Sequence, residues 1–183
     1  PEEIGIYSVV AALGLVAHML RDFGVSQYLV KEKELTAEKV SSAFAVTLIC
    51  SYIVAGALFL FRDSIADFFQ KPEVGSVVLL MIVNFLIIPF GSVSLGLLRR
   101  EMSFGSLFKI NVSSALVNAV SVIFLAWYGF SYLSLAYASI LGTSTTVVLA
   151  HIYSPRKRAF LVSLKNVVDI LRFGMLVSYS VFL

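Results

Sequence analysis

From Ile110 to Pro155 the chain carries no Asp, Glu, Lys or Arg, and its only titratable side chains there are tyrosines and His151. A bilayer's hydrocarbon core takes about 20 apolar residues per helix, so an uncharged run of roughly twice that length reads as two membrane spans joined by a tight turn. Trp127-Tyr128-Gly129-Phe130-Ser131-Tyr132 supplies the turn, a helix-ending glycine among aromatics whose polar tips suit the headgroup level. A soluble helical domain would need polar stripes at a 3.6-residue period, and these segments lack them. Charged residues are 14% of the chain, against about 25% in an average soluble domain. With 59% hydrophobic residues and a mean hydropathy of +0.93, the chain is expected to be an all-α polytopic membrane protein.

The same pattern of span and polar break repeats along the sequence. A first span is expected from about Ile4 to Leu20, followed by the half-apolar Arg21 to Val30 and the charged Lys31-Glu32-Lys33-Glu34. Thr36 reads as an N-cap with Glu38 in the first turn, opening a second span from about Ser41 to Phe61. Arg62 to Lys71 reads as a short interfacial helix. There Ser64 and Asp67 have capping-box spacing, and Ile65, Phe68 and Phe69 share a face.

Pro72 suits the first turn of a third span, about Val74 to Leu98, in which Pro89 predicts a kink and Gly91, Ser92, Ser94 and Gly96 a close helix approach. Spans four and five run from about Leu107 to Trp127 and Tyr132 to Tyr153. Both carry small and hydroxyl residues (Ser113, Ser114, Asn118 and Ser121, then Ser139, Gly142, Thr143 and Thr146), which suit helix packing or a polar pathway lining.

Beyond Pro155 and Arg156-Lys157-Arg158, a helix from Ser163 would place Leu164, Val167, Val168 and Leu171 on one face and Lys165, Asp169 and Arg172 on the other. Phe173 to Leu183 begins a further apolar span too short to cross. About five complete transmembrane helices and the start of a sixth are therefore expected. Residues 1–160 form a bundle, and 161–183 a cytoplasmic linker helix leading into the next span. Cys50 stands alone in an apolar span and supports no disulfide framework.

Counted on alternate sides of these spans, twelve of the fourteen Lys and Arg fall on one side, and only Arg62 and Lys71 on the other. The positive-inside rule then puts the basic breaks in the cytoplasm and Pro1 outside, so one more span is expected upstream. That topology accounts for the net charge of +3 without a nucleic-acid partner. The basic breaks also offer contacts to membrane lipids.

Catalytic chemistry is sparse. His18 and His151 lie in different spans with no metal-ligand cluster around them, and no Gly-x-Ser-x-Gly, Walker loop or glycine-rich phosphate cradle occurs. Neither an enzyme activity nor a cofactor is expected. The one charged pair that could lie at membrane depth, if the helix continues to Val30, is Arg21-Asp22. It reads either as an interface pair with Arg21 snorkelling, or as a substrate-pathway site. In the second reading Arg21 contacts an anionic headgroup such as a pyrophosphate, Asp22 orients it, and His18 lies one turn earlier on the same side.

Five stretches, taken in order, carry a resemblance. They are Pro1-Glu2-Glu3-Ile4-Gly5-Ile6-Tyr7-Ser8, Leu20-Arg21-Asp22-Phe23-Gly24-Val25-Ser26-Gln27-Tyr28-Leu29-Val30, Ile65-Ala66-Asp67-Phe68-Phe69 ahead of Pro72-Glu73, Leu98-Arg99-Arg100-Glu101-Met102-Ser103-Phe104, and Leu171-Arg172-Phe173-Gly174. Together they resemble the polysaccharide (O-antigen and exopolysaccharide) flippase family of the multidrug/oligosaccharidyl-lipid/polysaccharide exporter superfamily. The resemblance implies a multi-pass bacterial inner-membrane protein of two pseudo-symmetric halves that flips an undecaprenyl-pyrophosphate-linked oligosaccharide to the periplasmic leaflet. Partners would be the polymerase and glycosyltransferases of the same pathway. On that mapping the chain holds helices two to six and the start of seven, and lacks one wall of the central cavity. Two other classes stay open, a small-molecule exporter of the same superfamily and a non-transport membrane component of a polysaccharide pathway. Intramembrane carboxylates would favour the first, and none lies deep in spans two to five.

Overall fold

The computed structural model of the chain describes residues 25–154, 163–165 and 167–173. Its elements in order are α1 (Val25–Lys31), α2 (Ala37–Leu60), α3 (Arg62–Phe68), α4 (Pro72–Ile87), α5 (Pro89–Arg100), α6 (Phe104–Trp127) and α7 (Leu133–Tyr153). Residues 167–173 are also helical. The chain is an all-helical multi-pass membrane protein. Of the elements, α2, α6 and α7 are each long and apolar enough to cross a bilayer, and α4 with α5 makes a fourth crossing if the bent pair counts as one span. These correspond to expected spans two to five. The first, Ile4 to Leu20, lies outside the described residues.

Local chemistry sets the boundaries. Thr36 caps α2 as expected, its Oγ1 accepting the Lys39 backbone N–H at 3.3 Å, with Glu38 in the first turn. Pro72 stands at the start of α4, where a missing N–H costs nothing. Pro89 cannot donate to the carbonyl of Phe85, one turn back, and the third span breaks there: α4 and α5 meet at a 51° bend. Gly129 ends α6 at φ +85°, the left-handed conformation that a glycine adopts without a Cβ penalty, while the Phe130 N–H returns to the Leu125 carbonyl at 3.1 Å.

Two local expectations are corrected. Ser64 and Asp67 form no capping box, because α3 begins at Arg62, directly after α2, with Phe61 in the cap position and no side-chain cap. The Ile65 N–H instead bonds the Phe61 carbonyl at 2.8 Å. Past Ser163, the helix described covers 167–173, and residues 163–165 are not helical, so Leu164 precedes it. The packed residues are Ile170, fully buried, with Val167, Leu171 and Phe173, whereas Leu164 and Val168 are exposed.

Packing divides the bundle into two ends. At one, Leu29 of α1, Val40 and Phe44 of α2, Val93 and Leu97 of α5 and Ile170 form a buried cluster. At the other, Val74, Val77 and Val78 of α4 pack with Ala136 of α7, Ile65 and Phe69 of the α3 segment, and Tyr132 and Leu133 of the turn into α7. Helix α5 lies between α1 and α7, and its small residues allow that. Gly96 faces Leu29 and Gly91 faces Val147, as the small-residue patch predicts. Helix α6 leans chiefly on α7 and buries only Ile110, leaving Phe108, Leu116, Val120 and Ile123 exposed. A face that apolar suits hydrocarbon rather than water.

Candidate functional site

Two groups of polar side chains stand out against this apolar frame, one inside the bundle and one at its basic end. Inside, the expected hydroxyl residues join helices. The Ser114 hydroxyl of α6 lies 3.1 Å from the Gly142 carbonyl of α7 and makes a short contact with Thr146 Oγ1, its single proton going to one or the other. Thr146 Oγ1 in turn donates to the Gly142 carbonyl at 3.1 Å. Asn118 packs on the same glycine: a Cβ added at Gly142 would meet the Asn118 Cβ at 3.2 Å. Where no water competes, such bonds hold helices in register, each worth about 0.6 to 2 kcal/mol. For Ser114, Gly142 and Thr146, the packing reading is therefore the one observed.

Nearer the start of α7 the polar contacts are different. Asn84 of α4 donates its amide to Ser139 Oγ at 2.8 Å, and Ser139 Oγ donates to the Ala136 carbonyl at 2.7 Å. Asn84 Oδ1 and Ser51 Oγ are buried and make no hydrogen bond among the described residues. Buried polar atoms without partners are costly, so among the described residues these two side chains keep unused hydrogen-bonding capacity inside the bundle. Asn84 was legible in sequence as a lone carboxamide in an apolar span, five residues before Pro89, but its spacing names no partner.

The basic end is organised by Arg100, at the last position of α5. Its Nη1 donates to the Leu29 carbonyl at 2.8 Å, to the Val30 carbonyl at 3.4 Å and, in a short bond, to the Glu32 carbonyl; Nη2 donates to the Lys33 carbonyl at 3.3 Å. The final carbonyls of a helix have no intrahelical donor, and a guanidinium there satisfies them while complementing the helix dipole. Beside it, Lys39 Nζ bonds Glu32 at 2.9 Å and the Glu34 carbonyl at 3.1 Å. Lys165 pairs with Glu38 at 3.1 Å, bringing the segment before 167–173 to the same end. Both of those side chains are exposed, so that pair adds little energy and mainly records proximity.

The Lys39 ammonium holds the Glu32 carboxyl below its usual pKa. With the folded value below the unfolded one, the ion pair contributes fully above the unfolded carboxylate pKa, about 4.3, and its contribution fades as pH falls through the depressed value. A melting-temperature series in detergent from pH 7 to pH 3 is expected to show Glu32→Gln below the wild type at neutral pH and converging with it in acid. Parallel curves would exclude the pair as a stabilising contact.

His18, Arg21 and Asp22, the expected substrate-pathway residues, lie outside the described residues. Arg21 and Asp22 stand in sequence just before α1, whose far end Arg100 ties to α5.

Over residues 1–183 the chain matches the family model described as polysaccharide biosynthesis protein. It is 31% identical over 179 residues to the succinoglycan biosynthesis transport protein ExoT of Rhizobium meliloti, covering 95% of this chain and 35% of that protein. It is 25% identical over 116 residues to the lipopolysaccharide biosynthesis protein WzxC of Escherichia coli, covering 63% and 24%, and 24% identical over 102 residues to the teichuronic acid biosynthesis protein TuaB of Bacillus subtilis, covering 56% and 21%. The chain thus spans about a third or less of the length of these relatives. No solved structure matches it.

Proposed function

The chain belongs to the polysaccharide biosynthesis protein family, and from that premise we propose that it forms part of an exporter that flips lipid-linked oligosaccharide repeat units across the bacterial inner membrane. The observation that carries this reading is the charge asymmetry of an apolar bundle. Of the ten Lys and Arg among the described residues, Lys31, Lys33, Lys39, Arg99, Arg100, Lys109, Lys165 and Arg172 belong to the basic end, and only Arg62 and Lys71 to the other. Lys- and Arg-rich connections stay in the cytoplasm, so the basic end faces inward, toward the leaflet where a lipid-linked sugar would be loaded. The names of ExoT, WzxC and TuaB, each a polysaccharide biosynthesis protein, support a sugar cargo rather than a small-molecule one, and that of ExoT, a transport protein, supports transport rather than catalysis.

In this reading the cargo is an undecaprenyl-pyrophosphate-linked oligosaccharide. Arg21 meets its pyrophosphate, with Asp22 orienting the guanidinium and His18 one turn earlier. Residues 1–160 form most of one half of the exporter, and 161–183 lead from the cytoplasmic face into the next. The polymerase and glycosyltransferases of the pathway act on either side of it. Deleting the gene in its host is expected to remove the surface polymer and to leave lipid-linked repeat units accumulating on the inner side of the membrane. In the full-length protein, Arg21→Ala is expected to abolish export at normal protein levels. A deletion strain with undiminished polymer would refute the function, and undiminished export by Arg21→Ala would remove that residue from the pathway.

A further inference from the structure

At the end opposite Arg100, α3 and the first two turns of α4 enclose an open cleft of about 660 Å³. The α3 segment contributes Arg62, Asp63, Asp67 and Gln70, and across from them lie Lys71 and Ser76. The polar part of the lining is mixed rather than of one sign, two cations, two carboxylates, an amide and a hydroxyl, and Ala66, Pro72, Gly75 and Leu79 complete the wall. Only Arg62 and Asp63 pair with each other, at 2.8 Å. The side chains of Asp67, Gln70, Lys71 and Ser76 make no hydrogen bond or ion pair among the described residues. Gln70 also holds a left-handed backbone, φ +52°, in the turn that closes α3. Met102 and Ser131 hold the same conformation at other helix breaks, so it belongs to the helix ending; it leaves the Gln70 amide, able both to donate and to accept, at the cleft wall.

We infer that this cleft is a docking site for the neutral, hydroxyl-rich oligosaccharide head of the exported molecule as it arrives at the outer face. The inference rests on the export reading above. An anion would need an excess of cations, and the ring has none. An apolar compound would leave four polar side chains desolvated without partners. A sugar carries adjacent hydroxyls that each donate and accept, which is the complement of alternating carboxylate, amide, ammonium and hydroxyl groups. The volume lies within the range of small-ligand sites, about 300 to 1,000 Å³, enough for a short sugar segment. The site sits beside an interfacial helix at the non-basic end, which makes it a place for cargo leaving the membrane.

The test uses the full-length protein in its host, in a Cys50→Ser background, with polymer appearance at the surface as the readout. Ser76→Cys is treated from outside with a membrane-impermeant, negatively charged methanethiosulfonate, and Ser64→Cys, exposed on α3 away from the cleft, serves as the control. The adduct at position 76 is expected to slow export about tenfold, the scale of losing one or two hydrogen bonds to a bound sugar, and a reductant should restore it. The adduct at position 64 should leave the rate unchanged. Asp67→Asn and Gln70→Ala should lower export in the same direction at equal protein levels. Complete labelling at 76 with an unchanged rate would overturn the site, and so would failure of the reagent to reach 76 from outside. A deletion strain in the same assay separates the two levels. If deletion leaves the polymer intact, the export reading fails; if deletion abolishes it while the adduct is silent, only the cleft fails.

Discussion

Replacing Gly91 with leucine is expected to break the contact between α5 and α7 and leave little folded protein. A Cβ at position 91 would lie 2.9 Å from Val147 Cγ2 and 3.1 Å from Val147 Cα. The first neighbour can rotate away, but the second is backbone, so the two helices must separate. Even Gly91→Ala is expected to cost about 1 to 3 kcal/mol, the usual range for overfilling a packed interface, and leucine puts three more carbons into the same gap.

Gly96 provides the comparison. Its added Cβ would approach Leu29 Cδ1 to 2.8 Å, which is closer, yet that atom is the tip of a side chain, and the remaining contacts are 3.6 Å or longer. Gly96→Ala should therefore be the milder change. Thermal unfolding of purified variants in detergent, followed by size exclusion, is expected to rank wild type, Gly96→Ala, Gly91→Ala and Gly91→Leu in falling order, with the last not recovered as a single species. Equal melting temperatures for the two alanine variants would mean that α5 and α7 do not pack backbone to side chain at Gly91.

Arg100→Ala is expected to have the second largest effect. It removes the donors serving the carbonyls of Leu29, Val30, Glu32 and Lys33, and with them the tie between the end of α1 and the end of α5. A hydrogen bond from a charged donor contributes about 1.5 to 3 kcal/mol, but water can replace part of it at a bundle end, so a loss of about 2 kcal/mol is expected. Arg100→Lys should recover only a fraction, because a single ammonium does not span carbonyls that a planar guanidinium reaches with two nitrogens. Arg99→Ala makes an informative control, since Arg99 is exposed one position earlier. Limited proteolysis within residues 31–36 should accelerate in Arg100→Ala and not in Arg99→Ala. If both variants cut at the wild-type rate, Arg100 does not hold that loop.

Much of the architecture was readable because its causes are local. The Thr36 cap, Pro72 at a helix start, the bend at Pro89 and the left-handed Gly129 each follow from one residue's backbone chemistry, and each is found where the sequence puts it. The errors were local too. Ser64 has capping-box spacing, but α3 follows α2 without the break that would make Ser64 a first residue. Leu164 and Val168 fit a helical stripe, but residues 163–165 are not helical, and the helix over 167–173 turns Ile170 inward instead. Arg100 was counted as one of twelve topogenic cations, and nothing in its spacing revealed that it would gather the carbonyls of a segment some 70 positions away.

By itself, then, the sequence determined that the chain is a set of apolar helices with their cations gathered at one end, because hydrocarbon demands length, low polarity and internally satisfied backbone, and all three are written along the chain. Tertiary structure alone decided which side of each helix meets protein. Ser114 and Thr146 went to a helix seam, Asn84 and Ser51 kept unused acceptors inside, and the polar ring between α3 and α4 stayed open. The reason is that lipid and protein interior are equally apolar surroundings, so hydropathy cannot tell a buried face from a lipid-facing one; only the shapes of residues such as Gly91 against Val147 can.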